Sequence, residues 1–220
     1  VIINPVMDGL DAGDDTLVVH EDEPGQTINL LLNDRDPDFK GSTNPKLTII
    51  AFTQGEHGRV VYVGNQSFLY IPNPDFNGED RFTYTLNAGD RRIDVATVQV
   101  TVRPVNDQPN VAINSAITLT QGGDAVIGTR NLSVWDVDNV ASELVYLLER
   151  LPEHGQLLLS GMVLQVGGYF TQADIDKGHL VYRHNDDTAN NDRFCFSVDD
   201  SAGEFALTTD FIIQINPRPV

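Results

Sequence analysis

Residues 80–84 read Asp-Arg-Phe-Thr-Tyr, and residues 192–196 read Asp-Arg-Phe-Cys-Phe. In both segments aromatic residues alternate with other residues, which is the period of a β-strand with one buried face. Working outward, the triplet Glu-His-Gly at residues 56–58 precedes the first segment, and the same triplet at residues 153–155 precedes the second. This repetition in the same order indicates two copies of one structural unit.

Short alternating runs bounded by Gly, Asn, Asp and Pro recur along each copy, at the density of an immunoglobulin-like sandwich. The sequence therefore predicts an all-β fold of two tandem antiparallel β-sandwich domains. A strand that reaches Val102 runs into a segment with prolines at positions 104 and 109, which cannot continue a sheet ladder. We predict domains at residues 1–107 and 108–220. One short helix is expected near residues 171–176, where Thr171 and Asp174 form a capping pattern.

The chain has 14 Lys and Arg against 32 Asp and Glu, a formal charge of −18. A field of this sign repels phosphate backbones, so nucleic acid is not an expected partner. Clustered carboxylates favour hard divalent cations, so calcium is an expected partner. The single cysteine, Cys195, excludes an intrachain disulfide. No apolar run approaches the length of about 18 residues that spans a bilayer, so direct membrane insertion is not expected.

The first candidate site is an acidic segment in which Asp34, Asp36 and Asp38 alternate with other residues. Three carboxylates in a turn can converge on one calcium ion, and without a cation they repel one another. The segment is not an EF-hand, because Phe39 and Pro45 stand where that loop needs its Gly and its Glu. A solvated acidic loop is the alternative. We also match residues 34–36 to residues 136–138 of the second copy.

The order of motifs resembles known families. The first copy is similar to the cadherin-like tandem repeats of large bacterial surface and biofilm adhesins, on residues 21–23, 32–38, 58–60, 72–84 and 104–109. The second copy resembles the repeat of the chondroitin sulfate proteoglycan 4 and Fras1/Frem family, on residues 151–155, 170–175 and 180–184. These resemblances imply secreted or cell-surface sandwiches arrayed in series, with adhesion or matrix contact as their role and no enzymatic activity.

The resemblance also implies calcium bound where consecutive repeats join. Matched motif by motif, the ligands in the first copy would be Glu21 or Glu23, together with Asp80. The linker would contribute Asn106 and Asp107, and the second copy Asp136 and Asp138, with Asp199 or Asp200 as further candidates. The cluster at Asp34 and Asp36, with Asp90, would face a preceding repeat.

Several of these residues have a structural alternative. Asp80 opens a strand, where an aspartate often only ties off a turn. His57 and His154 each stand alone before a glycine, without a second ligand at zinc spacing, which favours a turn. Trp135 is expected to be a core anchor at a strand end, although an exposed aromatic could stack on a sugar. Cys195 is expected to be a small packed residue.

The functional hypothesis is a calcium-stabilised extender or adhesion module of a large adhesin, which stiffens an array of repeats for cell or matrix attachment. Its partners would be calcium and neighbouring repeats of the same chain. The alternative is a module that binds a carbohydrate or protein ligand directly, such as a surface glycan or a matrix protein. Trp135, Tyr146, Tyr169 and Tyr182 are the aromatic candidates for that role.

Overall fold

A computed structural model of the chain describes residues 9–38, 47–89, 91–202 and 205–219. The described residues form strands and one short helix, which confirms the predicted all-β fold. The chain separates into two compact units between Val105 and Asn106, slightly ahead of the boundary drawn from the sequence. Asn106 and Asp107 therefore belong to the second domain.

The first domain is built from seven described strands. They are β1 (Asp15–His20), β2 (Gln26–Asn29), β3 (Thr48–Phe52), β4 (Gly58–Gly64), β5 (Ser67–Pro72), β6 (Gly78–Asn87) and β7 (Ile93–Arg103). One sheet has the order β1-β7-β6-β3, and the other has the order β2-β5-β4. β1 pairs with β7 in parallel, and the other described neighbours are antiparallel.

The core of the first domain lies between these two sheets. Along β6 the buried side chains are Asp80, Phe82, Tyr84 and Leu86, and the residues between them are more exposed. Tyr70 of β5 stacks on Phe82 at a ring-centroid distance of 6.2 Å, so the two sheets meet face to face. Each large apolar side chain buried in this way contributes about 1.5–3 kcal/mol.

The second domain contains eleven described strands and the helix. They are β8 (Asn110–Asn114), β9 (Ile117–Thr120), β10 (Asp124–Val126), β11 (Leu132–Trp135), β12 (Val145–Arg150), β13 (Gly155–Leu159), β14 (Met162–Val163), β15 (Tyr169–Thr171), α1 (Gln172–Asp176), β16 (Leu180–His184), β17 (Asn191–Asp199) and β18 (Phe205–Asn216). The sheets have the orders β15-β12-β17-β18-β9, β10-β16-β13-β14 and β11-β8.

The second domain repeats the design of the first. β9 pairs in parallel with the last strand, β18, as β1 does with β7. Tyr146 stacks on Phe170 with ring centroids 4.8 Å apart, in a core of buried apolar residues. Helix α1 starts at the expected place, because the Thr171 hydroxyl accepts the Asp174 N–H and the Asp174 carboxylate accepts the Thr171 N–H in return.

Candidate metal centre

Asp80 is a buried aspartate at the start of the aromatic strand β6. Its Oδ1 atom accepts the N–H of Glu56 at 3.0 Å and of Arg81 at 2.7 Å. Its Oδ2 atom accepts the N–H of His57 at 3.0 Å and the O–H of Tyr70 at 2.6 Å. The carboxylate thus ties the Glu-His-Gly turn to the core.

The same four hydrogen bonds recur at Asp192 in the second domain. Its oxygens accept the N–H groups of Glu153 at 2.9 Å, His154 at 2.9 Å and Arg193 at 2.8 Å. The fourth bond comes from the hydroxyl of Tyr182 at 2.8 Å. The repeated sequence motifs are therefore the parts of one repeated structural device.

This device determines what Asp80 can do. An ionised carboxylate has about four lone-pair sites, and four donors occupy those of Asp80. Burial raises the pKa of the Asp80 carboxyl, but the hydrogen bonds that it accepts lower the pKa by more. The net pKa therefore lies below the ordinary value for an aspartate. Asp80 has the turn-tying role that the sequence analysis gave as its alternative, and a metal ion would have to displace one of its donors.

The two candidate glutamates of the first domain differ sharply. Glu21 is 1% exposed, and its Oε1 accepts the N–H of Val105 at 2.9 Å. The Asn77 amide also lies 3.3 Å from each of its carboxylate oxygens. Glu23 is exposed, with its closest described partner His20 at 3.7 Å. Glu21 therefore anchors the end of the first domain, whereas Glu23 faces solvent.

Asp34 is buried and forms an acidic pair with the half-buried Asp15, whose pKa is raised by burial and also by the charge of Asp34. Its Oδ1 accepts the N–H of Gly13 at 2.8 Å and the hydroxyl of Tyr84 at 2.9 Å. Burial raises the pKa of Asp15 to about 6 and raises the pKa of Asp34 in the same direction. The Oδ2 atoms of both residues are buried without a hydrogen-bond partner among the described residues.

The carboxylates of Asp36 and Asp38 instead bind the guanidinium group of Arg92. Arg92 donates from Nη1 to Asp36 Oδ1 at 2.8 Å and from Nη2 to Asp36 Oδ2 at 2.9 Å. The same Nη1 also donates to Asp38 Oδ2 at 2.9 Å. The structure therefore brings Asp36 and Asp38 together around Arg92 and gives Asp34 different partners.

In the second domain Asp136 and Asp138 form a tight turn. Asp136 Oδ1 accepts the N–H of Asp138 at 2.8 Å and of Asn139 at 3.1 Å. This is an Asx turn, in which the side chain replaces a backbone acceptor. The other carboxylate oxygen, Asp136 Oδ2, and the amide oxygen of Asn139 are both buried without a hydrogen-bond donor in the described part of the chain.

Linker residues reach this turn directly. The N–H of Asp107 donates to Asp138 Oδ2 at 2.9 Å, and the Asn106 amide donates to Asp200 Oδ2 at 2.7 Å. Asn139 donates to the Asp200 carbonyl at 3.4 Å, and Asp200 itself is 1% exposed. Asn106, Asp107, Asp136, Asp138, Asn139 and Asp200 thus form one cluster, which we call the linker-end cluster.

The linker-end cluster is suited to a hard cation. Calcium takes oxygens from carboxylates, amides and backbone carbonyls, and the two buried oxygens without donors are such groups. Leaving a buried acceptor unsatisfied costs about 1–3 kcal/mol, which a bound cation would remove. Among the described residues, neither Asp136 nor Asp138 forms an ion pair with a lysine or an arginine.

The structure corrects the match between the two acidic turns. Leu17 and Ile117 hold equivalent places in the parallel pairs that open the domains. The residues directly before the two turns are also paired alike, because Arg35 bridges Asp11 and Trp135 pairs with Asn110, both antiparallel. The equivalent of Asp136 is therefore Asp36, not Asp34. The turn geometry agrees, because Asp36 Oδ1 accepts the Asp38 N–H at 3.1 Å, just as Asp136 accepts that of Asp138.

Two members of these sites were missed in the sequence. Asn139 directly follows Asp138, and the run of oxygen-bearing side chains was the available signal. Arg92 gave no signal, because it stands 54 residues from Asp38 and only the fold brings them together. Asp90, which the resemblance grouped with Asp34 and Asp36, lies outside the described residues.

The lone histidines and the cysteine take part in local packing. His57 stacks on Phe76 at 4.0 Å, and His154 Nδ1 lies 2.8 Å from Asp187, which raises the His154 pKa through their hydrogen bond. Cys195 is partly buried in β17, and burial raises the pKa of its thiol. A raised thiol pKa lowers the thiolate fraction and with it the nucleophilicity.

The four candidate ligand-stacking aromatics divide into two pairs. Tyr146 and Tyr182 are fully buried in the core of the second domain. Trp135 is 54% exposed and Tyr169 is 67% exposed. The expectation that Trp135 is a core anchor is wrong, because Leu132 and Val134 occupy the buried face of β11 and Trp135 follows on the other face.

Within the described part of the chain, no helix is long and apolar enough to cross a membrane.

Comparisons with protein families give one match for each domain. Residues 109–215 match the cadherin-like family model, and residues 4–101 match the bacterial Ig domain model. Among solved structures, human mucin-like protocadherin EC1-2 has a TM-score of 0.56 at 19% identity, over 93% of this chain and 97% of that one. Human CDH23 EC21-23 also has a TM-score of 0.56, at 15% identity, over 96% of this chain and 69% of that one. At these identities the likeness shows the fold.

Relatives in sequence are large matrix and cell-surface proteins by their names. Human FRAS1-related extracellular matrix protein 2 is 29% identical over 182 residues, which cover 80% of this chain and 5% of that protein. Extracellular matrix protein 3 of Lytechinus variegatus is 27% identical, over 89% of this chain and 7% of that protein. Human chondroitin sulfate proteoglycan 4 is 32% identical over 125 residues, covering 56% of this chain and 5% of that protein. The chain spans less than a tenth of each of these relatives. The family resemblance seen in the sequence is confirmed by the family models and by these relatives.

Proposed function

We propose that this chain, in which a bacterial Ig-like domain is followed by a cadherin-like domain, is a calcium-stabilised module of an extracellular adhesion or matrix protein. The names of its relatives support the extracellular setting, and their much greater length supports a place within a longer array. The proposed role is mechanical: calcium orders the segment that leads into the cadherin-like domain, so the module resists bending and proteolysis.

The observation that carries the proposal is a pair of buried oxygens, Asp136 Oδ2 and Asn139 Oδ1, that have no hydrogen-bond donor among the described residues. They belong to a cluster that also contains the carboxylates of Asp107, Asp138 and Asp200. Carboxylate and amide oxygens are the ligands that calcium prefers, and the Asx turn links the two residues that carry these oxygens. Calcium binding would satisfy the two acceptors and reduce the repulsion among the carboxylates.

The linker end of the module is the part that calcium would stabilise most. Asn106 and Asp107 already hydrogen-bond to Asp200 and Asp138. A cation at the linker-end cluster strengthens the hold on both linker residues, because it binds only the ordered arrangement. Such binding stabilises the folded state by RT ln(1 + [Ca]/Kd).

Calorimetric titration of the whole chain with calcium tests this proposal. We expect one site in the cadherin-like domain with Kd of about 0.1–1 mM, the range of extracellular calcium modules. Magnesium should bind more weakly, because it demands tight octahedral geometry and holds its waters. Asp136→Asn should weaken calcium binding at least about tenfold, which is 1.4 kcal/mol.

The matched control is Asp124→Asn, since Asp124 lies in the same domain but pairs with Arg183 on the sheet surface. This variant should bind calcium like the original chain. Absence of calcium binding up to about 10 mM, or equal effects of the two substitutions, would reject the calcium site.

A second candidate function is direct ligand binding by the cadherin-like domain. It is favoured by the exposure of Trp135 and Tyr169, since large exposed aromatics can stack on sugars. Glycan arrays probed with the chain and with Trp135→Ala and Tyr169→Ala would test it. Binding that persists in both variants would rule out these two residues as the ligand platform.

A further inference from the structure

The acidic turns of the two domains are equivalent in the fold but differ in what neutralises them. In the first domain the turn holds Asp36 and Asp38, and in the second it holds Asp136 and Asp138. The carboxylate pair has the same Asx geometry in both. Any difference in cation binding must therefore come from the residues around each turn.

We infer that Arg92 takes the place of a calcium ion in the first domain, so that its acidic turn has a permanent counter-charge without metal. The guanidinium forms a two-pronged contact with Asp36, at 2.8 and 2.9 Å, and a third bond to Asp38 at 2.9 Å. These bonds engage both Asp36 oxygens and one Asp38 oxygen, which are the atoms that would bind a metal ion. The inference rests on the proposed calcium site of the second domain for its contrast.

The geometry of Arg92 makes it a strong competitor for the metal. A planar guanidinium matches a carboxylate in two-pronged contact, and such charge-assisted bonds are about twice as strong as neutral ones. The side chains are largely shielded, with 20% exposure at Arg92 and 9% at Asp36. Because the cation is part of the chain, its effective concentration at the turn does not fall when calcium is withdrawn.

The corresponding turn of the second domain has no such contact among the described residues. Asp136 Oδ2 is buried and has no donor there, whereas its equivalent in the first domain, Asp36 Oδ2, receives the Arg92 Nη2. Two copies of one unit therefore meet the same electrostatic demand differently. The first domain uses an arginine of the chain itself, and the second has oxygen ligands suited to a free cation.

The test is to remove the tethered cation and count calcium ions bound by the whole chain. Arg92→Ala should bind one more calcium than the original chain at about 1 mM, the working range of extracellular modules. Adding Asp36→Asn to this variant should abolish the extra equivalent. Arg183→Ala is the matched control, because it removes another two-pronged arginine contact, to Asp124, and should add no site.

A second measurement keeps the inference testable if Arg92→Ala fails to fold without metal. Asp36→Asn in the otherwise unchanged chain should leave the number of bound calcium ions and their affinity the same. Loss of a calcium ion in Asp36→Asn, or no gain in a folded Arg92→Ala, would overturn the inference.

The two proposals can fail separately in this design. An unchanged chain that binds no calcium would reject the site in the second domain. Gain of one Asp36-dependent ion in Arg92→Ala would still support the role of Arg92 in that case. Conversely, a calcium site lost in Asp136→Asn together with one lost in Asp36→Asn would uphold the first proposal and reject the second.

Discussion

Among single residues, Asp80 is a buried carboxylate that ties a turn to the core of its domain. Its four hydrogen bonds include the Tyr70 hydroxyl and three backbone amides. In Asp80→Asn, an amide NH₂ group replaces one of the two acceptor oxygens. The two buried donors that bonded to that oxygen then face another donor and lose their acceptor. We expect the free energy of unfolding of the first domain to fall by about 2–4 kcal/mol.

Calcium titration separates this structural role from a metal role. Asp80→Asn should keep the calcium affinity of the original chain, and Glu79→Gln, an exposed neighbour on the same strand, should change neither stability nor affinity much. A drop in calcium affinity specific to Asp80→Asn would show that Asp80 exchanges a hydrogen bond for a metal ion.

Asp15 should make the stability of the first domain depend on pH. Its pKa is 3.8 as an ordinary aspartate and about 6 in the fold, chiefly because of burial. Between these values the folded state holds a proton that the unfolded state has released. Its contribution to stability is therefore fully present below about pH 4 and is lost as pH rises through about 6.

Thermal unfolding of Asp15→Asn against the original chain measures this contribution. The variant cannot ionise, so its melting temperature relative to the original chain should rise between about pH 4 and pH 7. Asp14→Asn, which changes the exposed neighbouring acid, is the control and should show a smaller rise. Parallel pH curves for Asp15→Asn and the original chain would contradict a raised Asp15 pKa.

At the scale of elements, the Glu-His-Gly triplet is a turn built to admit a tyrosine ring. A Cβ atom at Gly155 would lie 2.4 Å from two ring carbons and the hydroxyl oxygen of Tyr182, and one at Gly58 would lie 2.2 Å from the ring of Tyr70. Gly155→Ala should therefore destabilise the second domain by about 1–3 kcal/mol through overpacking. The measurement is chemical unfolding of the whole chain.

Gly128→Ala provides the control in the same domain, since a Cβ atom there meets nothing within 4 Å and the backbone is not left-handed. Its effect should stay within about 0.5 kcal/mol. An equal loss of unfolding free energy in both variants would mean that the triplet needs glycine for its backbone freedom and not for the space taken by the tyrosine ring.

Much of this architecture could be predicted from local patterns. The period-two alternation at residues 80–86 and its echo in β17 predicted buried faces that the structure has, because strand geometry fixes alternate sides. The Thr171 cap predicted α1 for an equally local reason. The prediction for Trp135, which rested on its place at a strand end before Asp136, is wrong because Leu132 and Val134 take the buried face of β11.

The electrostatic detail could not be predicted in the same way. Whether Asp36 receives an arginine or a metal ion depends on Arg92, which reaches it only once β7 and the acidic turn are brought together. The buried oxygens of Asp136 and Asn139 likewise depend on what covers them. The acid pattern predicted a cation at both turns, and the fold places an arginine at the first of them.

For the whole molecule, a formal charge of −18 means that the folded state carries self-repulsion, which bound cations reduce. Tethered cations act at some positions, as Arg92 does for Asp36 and Arg150 for Asp210. We expect free cations to act at others. Calcium should therefore stabilise the chain unevenly, according to where the tethered cations are missing.

Differential scanning calorimetry of the whole chain in calcium and in EDTA tests this unevenness. Gly58→Ala and Gly155→Ala identify the two domains, because each lowers the melting transition of its own domain. Calcium at 100 times its Kd contributes about 2.7 kcal/mol, so the transition of the second domain should rise by about 10 °C or more. The transition of the first domain should move much less, since Arg92 already supplies a counter-charge at its acidic turn. Equal shifts in both would mean that calcium relieves the net charge in general and is not bound at the linker-end cluster.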